Sequence, residues 1–276
     1  MDIKKSEAYK NLVKEMEHIY PLYKGNYPND STDGKVEFWR PCVKGNIICQ
    51  EINLYTYWQG LGYARKTPHI EYLFVAQDWG SLFQSKYTNF ISDVKAINEG
   101  NYNILYDDKS ITSSNLIELF KELGYDNIKK DDISKCRHDE LFFTNFCLGY
   151  RTGPESGLGK KGFKISQKEF ETEMMKSADL FRKLCNILEP KKILCLGQIT
   201  FINVYKALTG DEARKFDSRV KGKFHAFLDN HNQIIVRCGN VDTKVYPLAH
   251  CGGPGTAMRK LEIQKQDWAR IAKDNQ

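Results

Sequence analysis

The sequence predicts an α/β fold of three layers around a mainly parallel central sheet. Three observations point to it. Residues 72–76, 141–144 and 192–196 are short runs, apolar but for Thr144 and Lys192, the pattern of strands buried on both faces. Amphipathic helical stretches alternate with these runs, as expected of strand–helix–strand units. No long linker, internal repeat or low-complexity tract divides the chain.

In chain order, Tyr9, Leu12, Val13, Met16 and Ile19 recur at helical spacing over residues 6–19. Turn signals at Pro21, Gly25, Pro28 and Gly34 follow, then a second helix at about 46–60. Residues 1–65 therefore read as an N-terminal helical extension packed on an α/β domain of residues 66–276. The strand at 72–76 is followed by a helix over 113–123, stopped by Gly124, and by the strand at 141–144. A glycine-rich stretch runs from Gly149 to Gly162. Ser166 with Glu169 forms a capping box for one long helix, whose stripe is Phe170, Met174, Phe181, Leu184, Cys185 and Leu188. Pro190 ends it before the strand at 192–196. Gly197 turns the chain into a helix at 199–208. Candidate strands at 223–228, 233–238 and 243–248 precede a last helix over 256–272.

Composition narrows the function classes. With 41% hydrophobic residues the 276-residue chain has a full core, so wholesale disorder is excluded. The charge of +6, from 41 Lys+Arg against 35 Asp+Glu, is compatible with a polyanionic partner. No apolar run approaches the roughly 18 residues of a membrane span. The charged N-terminus lacks an apolar signal core, so a cytoplasmic protein is expected. Eight cysteines include no C-x-x-C pair: Cys42 and Cys49 have six residues between them, and the rest are scattered. Several lie inside apolar runs, as free cysteines acting as small hydrophobes do. Neither a metal nor a cofactor is expected.

Ligands of open α/β sheets bind beyond the carboxyl ends of the strands. The first strand is followed by Gln77-Asp78-Trp79-Gly80, the second by Asn145 with Arg151 six residues on, and the third by Gly197-Gln198. The last is followed by His250-Cys251-Gly252-Gly253-Pro254-Gly255. Each polar residue has a plainer use: Asp78 as a helix cap, Asn145 in a turn, His250 as a satisfied buried histidine. Their convergence on one edge favours a site.

The order and context of these segments resemble the uracil-DNA glycosylase superfamily. There a buried strand leads into a Gly-Gln-Asp-Pro-type loop, a second ends on a base-gripping Asn, and a late strand ends in a His-Pro-Ser-Pro-type loop. Ala76-Gln77-Asp78-Trp79-Gly80, Leu141-Phe142-Phe143-Thr144-Asn145 and Tyr246-Pro247-Leu248-Ala249-His250 stand at these places. The helix from Asn115 to Leu123 and the strand ending at Gly197 also look like family segments. The resemblance spans roughly residues 70–270. Ala76 and Trp79 depart from the first motif, and Cys251-Gly252-Gly253 replaces Pro-Ser-Pro in the third. Gly80 stands where uracil-specific members carry a Tyr that blocks pyrimidine C5. The cysteine pattern does not match the family's iron–sulfur branch.

The resemblance implies a monomeric DNA glycosylase acting on a flipped pyrimidine, either uracil or a C5-modified base such as phage DNA carries. Asp78 and His250 are the expected catalytic pair. A carboxylate stabilises the sugar cation and orients water; a neutral imidazole donates to the oxyanion at pyrimidine O2, which calls for a lowered pKa. Gln77, Trp79, Gly80, Phe90 and Asn145 are the expected base-binding residues, with Phe83 an alternative stacking face. Lys160, Lys161, Arg259 and Lys260 are the expected DNA contacts, with Lys164 and the basic residues of 214–223 as further candidates. Met258 is the nearest candidate for an intercalating wedge.

Three other readings compete. Residues 157–162 spell G-x-G-x-x-G but do not directly follow a strand, which argues against a dinucleotide site. The adjacent His250 and Cys251 suggest a thiol nucleophile, although neighbouring side chains usually diverge. A non-catalytic DNA-binding protein on a glycosylase-like scaffold is the alternative of a different class. Repair and phage defence both remain open.

Overall fold

The computed structural model describes residues 6–20, 38–39, 70–78, 111–126, 140–147, 150–151, 167–210, 224–230 and 233–274. The helix expected at 46–60 lies outside these residues, as do Cys42, Cys49, Cys136, the 157–162 glycine motif and the basic residues of 214–223.

Five strands form the central sheet: β2 (Ile70–Ala76), β3 (Leu141–Asn145), β5 (Pro190–Leu196), β6 (Ile234–Cys238) and β7 (Val241–Leu248). Their order is β3-β2-β5-β7-β6, with all neighbours parallel except the β6–β7 hairpin. A separate two-residue pairing joins β1 (Phe38–Trp39) to β4 (Tyr150–Arg151). Its shortness and its place between turn residues hide it from any periodicity.

Helices cover both faces of the sheet, giving three layers. On one face lie α2 (Ile111–Glu122) and α8 (Leu261–Lys273). On the other lie α1 (Glu7–Ile19), α3 (Gln167–Met175), α4 (Ala178–Leu188), α5 (Gln198–Thr209) and α6 (Phe224–Asp229). The short α7 (Gly253–Met258) follows β7. Tyr9, Leu12, Met16 and Tyr20 are buried in the larger core, so α1 belongs to the α/β body.

Alternation within β2 builds both cores. Leu73 and Val75 join one, while Tyr72 and Phe74 join the other; Ile70, at the strand's start, falls outside this alternation and packs in the first core. Phe74 centres an aromatic cluster: it stacks on Phe143 at 4.6 Å and on Trp268 at 5.7 Å, and meets Phe120 edge-on at 5.3 Å. Such pairs add about 0.5–1.5 kcal/mol each beyond burial, and these fasten α2 and α8 to β2 and β3.

Three helical expectations change. Residues 223–228 are not a strand: Phe224, Phe227 and Leu228 pack at i, i+3 and i+4, and the segment winds into α6. The single long helix divides into α3 and α4 at Lys176-Ser177. There the Lys176 and Ser177 N–H groups donate three residues back, and the buried Ser177 hydroxyl bonds Tyr20 Oη and Cys147 Sγ. The last helix divides into α7 and α8 at Arg259-Lys260. Arg259 is extended (φ −135°, ψ 105°), and its side chain is 7% exposed.

That break is held by charge. Arg259 donates through Nε and Nη2 to the two carboxylate oxygens of Asp267 at 2.6 and 2.9 Å, and through Nη1 to Asp229 of α6 at 2.8 Å. Asp267 is 3% exposed. Removing one member of a buried pair strands the other charge and costs about 3–5 kcal/mol, while an exposed pair contributes little. Asp267→Ala is therefore expected to lose about 3–5 kcal/mol in denaturant unfolding. Asp242→Ala, which breaks the exposed Arg237–Asp242 pair, should leave stability close to unchanged.

Candidate functional site

The register lines up the strand ends. Ala76 pairs with Asn145, Val75 with Cys195, and Leu196 with Leu248, so Ala76, Asn145, Leu196 and Leu248 stand level across four strands. Asp78 and His250 each lie two residues beyond that line. Backbone bonds continue past it: Phe146 N–H to Ala76 C=O (2.8 Å), Cys147 N–H to Gln77 C=O (3.0 Å) and Gly197 N–H to Leu248 C=O (2.8 Å). Chain direction across the sheet reverses at β2, from which the chain goes first to β3 and later to β5. The crevice outside β2 and β5 is thus the switch point where such sheets bind ligands. Strands lie about 4.8 Å apart, so the ends of β2 and β7, with β5 between them, stand roughly 10 Å apart.

Asp78 accepts a hydrogen bond from Gln77 Nε2 at 2.9 Å. Its charge helps burial push the Cys147 thiol far above the ordinary cysteine range. Cys147 also contacts Ser177 Oγ (3.5 Å), which bonds Tyr20 Oη. This buried polar trio under the Gln77-Asp78 turn was not legible in sequence, because its members come from three separate segments.

Asn145 is 4% exposed. It ends β3 on the face shared with Leu141 and Phe143, the α2–α8 side, and its side-chain amide makes no hydrogen bond to a described residue. A buried amide normally has partners, and among the described residues this one has none for its donor or acceptor.

His250 reaches solvent, yet the protein around it desolvates the ring and lowers its pKa. The Gly252 N–H donates to Nδ1 at 2.9 Å. That bond assigns the proton of the neutral ring to Nε2. Two glycines of this loop, Gly252 and Gly255, are steric necessities. A Cβ on Gly252 would lie 2.9 Å from imidazole Nδ1 and Cε1 and 2.8 Å from Thr112 Oγ1; one on Gly255 would lie 1.8 Å from the His250 carbonyl oxygen. Asn115 of α2 donates from Nδ2 to the Cys251 carbonyl at 2.6 Å. Gly197 adjoins the site: a Cβ there would be 3.8 Å from His250 Cβ.

The expected residues thus divide. Gln77, Asp78, Asn145 and His250 come together at one edge. Trp79, Gly80, Phe83, Phe90, Lys160, Lys161 and Lys164 lie outside the described residues. Arg259 is corrected: its guanidinium is committed to Asp267 and Asp229 and does not present itself to a phosphate. Lys260 is exposed at the start of α8, and Met258 is 71% exposed. Cys251 packs into the aromatic core and burial pushes its thiol up to about 12, so it is no thiolate partner for His250. Asn115 and Thr112 bear on the loop without having been singled out; an Asn inside a helical pattern, where it is a weak helix former, was the available signal.

Two outcomes follow. Gly255→Ala is expected to cost about 1–3 kcal/mol by overpacking, read in a denaturant melt, whereas Gly253→Ala, with nothing within 4 Å of its Cβ, should be tolerated. For His250, the folded pKa lies below the unfolded value of about 6.5. The neutral ring's contribution to stability is complete above that value and is lost as pH falls from it through the folded pKa. The stability difference between the protein and His250→Gln should shrink over that window in denaturant melts at stepped pH.

No family model matches the chain, and no curated protein matches it significantly; the edge geometry itself is what a functional reading has to explain.

Proposed function

We propose that the protein is a DNA glycosylase, hydrolysing the N-glycosidic bond of a pyrimidine flipped from DNA to leave an abasic site. The observation that carries this reading is the His250 imidazole, desolvated and bonded at Nδ1 so that Nε2 is left for the neutral ring's proton, at the same sheet edge as Asp78 and an Asn145 amide with no bond to a described residue.

In this reaction the base departs with the bonding electron pair and negative charge gathers on its O2. Positive charge develops on the sugar. The Nε2–H of a neutral His250 donates to that oxygen, and desolvation strengthens the interaction. The Asp78 carboxylate faces the sugar cation, orients a water toward the anomeric carbon and takes its proton. The Asn145 amide reads the base edge with one donor and one acceptor. Taking the base out of the stack costs a few kcal/mol, which phosphate contacts offset. Lys260, Lys160 and Lys161 are assigned to that task, and Arg259 is not. Uracil and C5-modified pyrimidines are the two substrate classes, with Trp79 and Gly80 the residues that decide between them; the same reaction serves repair or defence.

The test is a panel of DNA substrates carrying uracil, thymine mismatches and C5-substituted cytosines, scored for abasic sites. Excision by the parent protein is expected on at least one. His250→Ala should lower kcat by about 10²–10³-fold, and Asp78→Asn by about 10²–10⁴-fold. DNA binding without abasic sites on any substrate would overturn the enzyme and leave a non-catalytic DNA-binding protein. Excision of plain uracil with none of bulky C5-modified bases would sink the modified-base alternative.

A further inference from the structure

One peptide unit makes two hydrogen bonds of opposite sense beside the site. The carbonyl of Cys251 accepts from Asn115 Nδ2 at 2.6 Å. The N–H of the same unit, belonging to Gly252, donates to His250 Nδ1 at 2.9 Å. The unit is thus held at both ends, by an amide from α2 and by the imidazole it orients.

We propose that Asn115 is a positioning residue for His250: through the Cys251–Gly252 peptide it holds the imidazole in the tautomer that presents Nε2–H to the site.

A hydrogen bond accepted by a peptide carbonyl polarises the unit and strengthens the bond its N–H donates, so the Asn115 contact reinforces the one on Nδ1. A carbonyl–amide bond also fixes the plane of the peptide, and the plane sets where the N–H points. Gly252 is the one residue that lets the ring approach this peptide, since a Cβ there would sit 2.9 Å from Nδ1. The arrangement parallels the outer-shell partners that fix the tautomer and ring orientation of metal-ligating histidines, whose loss typically costs about 10–100-fold in metal affinity or activity. Asn115 rides on α2, which packs against α8 through Phe120 and Trp268, so its amide is delivered from a rigid element.

The assignment rests on the proposed reaction only for its consequence in catalysis; the tautomer is measurable without it. The full-length protein is labelled with ¹⁵N-histidine, and the shifts of His250 Nδ1 and Nε2 are read above its pKa. The unsubstituted protein is expected to show a protonated Nε2 and an unprotonated, hydrogen-bonded Nδ1; a protonated Nδ1 there would overturn the proposal whatever any variant does. Asn115→Ala and the near-isosteric Asn115→Leu both remove the donor while improving helix propensity in α2. Both should populate the Nδ1–H tautomer and, on a substrate the parent cleaves, lower kcat roughly 10-fold with KM little changed. Unaltered ring shifts in either folded variant overturn the proposal. Altered shifts with no excision by the parent protein leave the positioning role standing and dispose of the glycosylase reading instead.

Discussion

Four parallel strands held in one register are the constraint on which the rest depends. β2 pairs with β3 on one side and β5 on the other, and β5 with β7, so their carboxyl ends finish level. Everything polar at the site is measured from that line. Asn145 stands on it, and Asp78 and His250 each lie two residues past it. Had the β2–β3 pairing slipped by one residue, Asn145 would point to the opposite face. The buried alternation of Leu73 and Val75 against Tyr72 and Phe74 forbids that slip, because each set fills a different core.

The loop after β7 shows how a small stretch of backbone can set chemical character. Its side chains are few; its glycines allow the His250 ring to fold against its own backbone and α7 to pass over the His250 carbonyl. The outcome is an imidazole that is accessible at its edge, desolvated around the ring and hydrogen-bonded at Nδ1. Two braces hold the loop from outside. Asn115 reaches it from α2, and the Arg259–Asp267 pair fastens the junction where α7 gives way to α8. Breaking a buried pair of this kind strands a charge, so the junction is held in one arrangement of chain.

How much of this was legible in the chain differs by element. The largely apolar runs at 72–76, 141–144 and 192–196 stand out because a strand buried on both faces carries mostly apolar side chains, and all three are strands of the sheet. Residues 224–229 misled because Phe224, Phe227 and Leu228 form too short a window to separate a helical period from a β-rich run. The breaks at Ser177 and Arg259 were invisible in a continuous apolar stripe. Each is enforced by partners outside the break: Tyr20 and Cys147 at the first, and at the second Asp229 and, eight residues on, Asp267. Arg259 is the instructive residue. Its charge and its place near the third loop suggested a phosphate contact, and only the burial of Asp267 beside it assigns it to the scaffold.

By itself the sequence determined the layer architecture and the identity of the polar residues after each strand, because hydrophobic period and the place of a residue relative to a strand end are local properties. Tertiary structure decided what those residues can do. The protonation state of an imidazole depends on which N–H meets Nδ1 and how much water the ring has lost, and the availability of an amide depends on which neighbours fail to bond it. Both are properties of the space around a side chain, set by segments more than a hundred residues apart in the case of Asn115 and Cys251. The folded chain therefore distinguishes a structural arginine from a DNA contact, and a neutral donor from a histidine of ordinary charge, where the order of amino acids alone leaves each pair open.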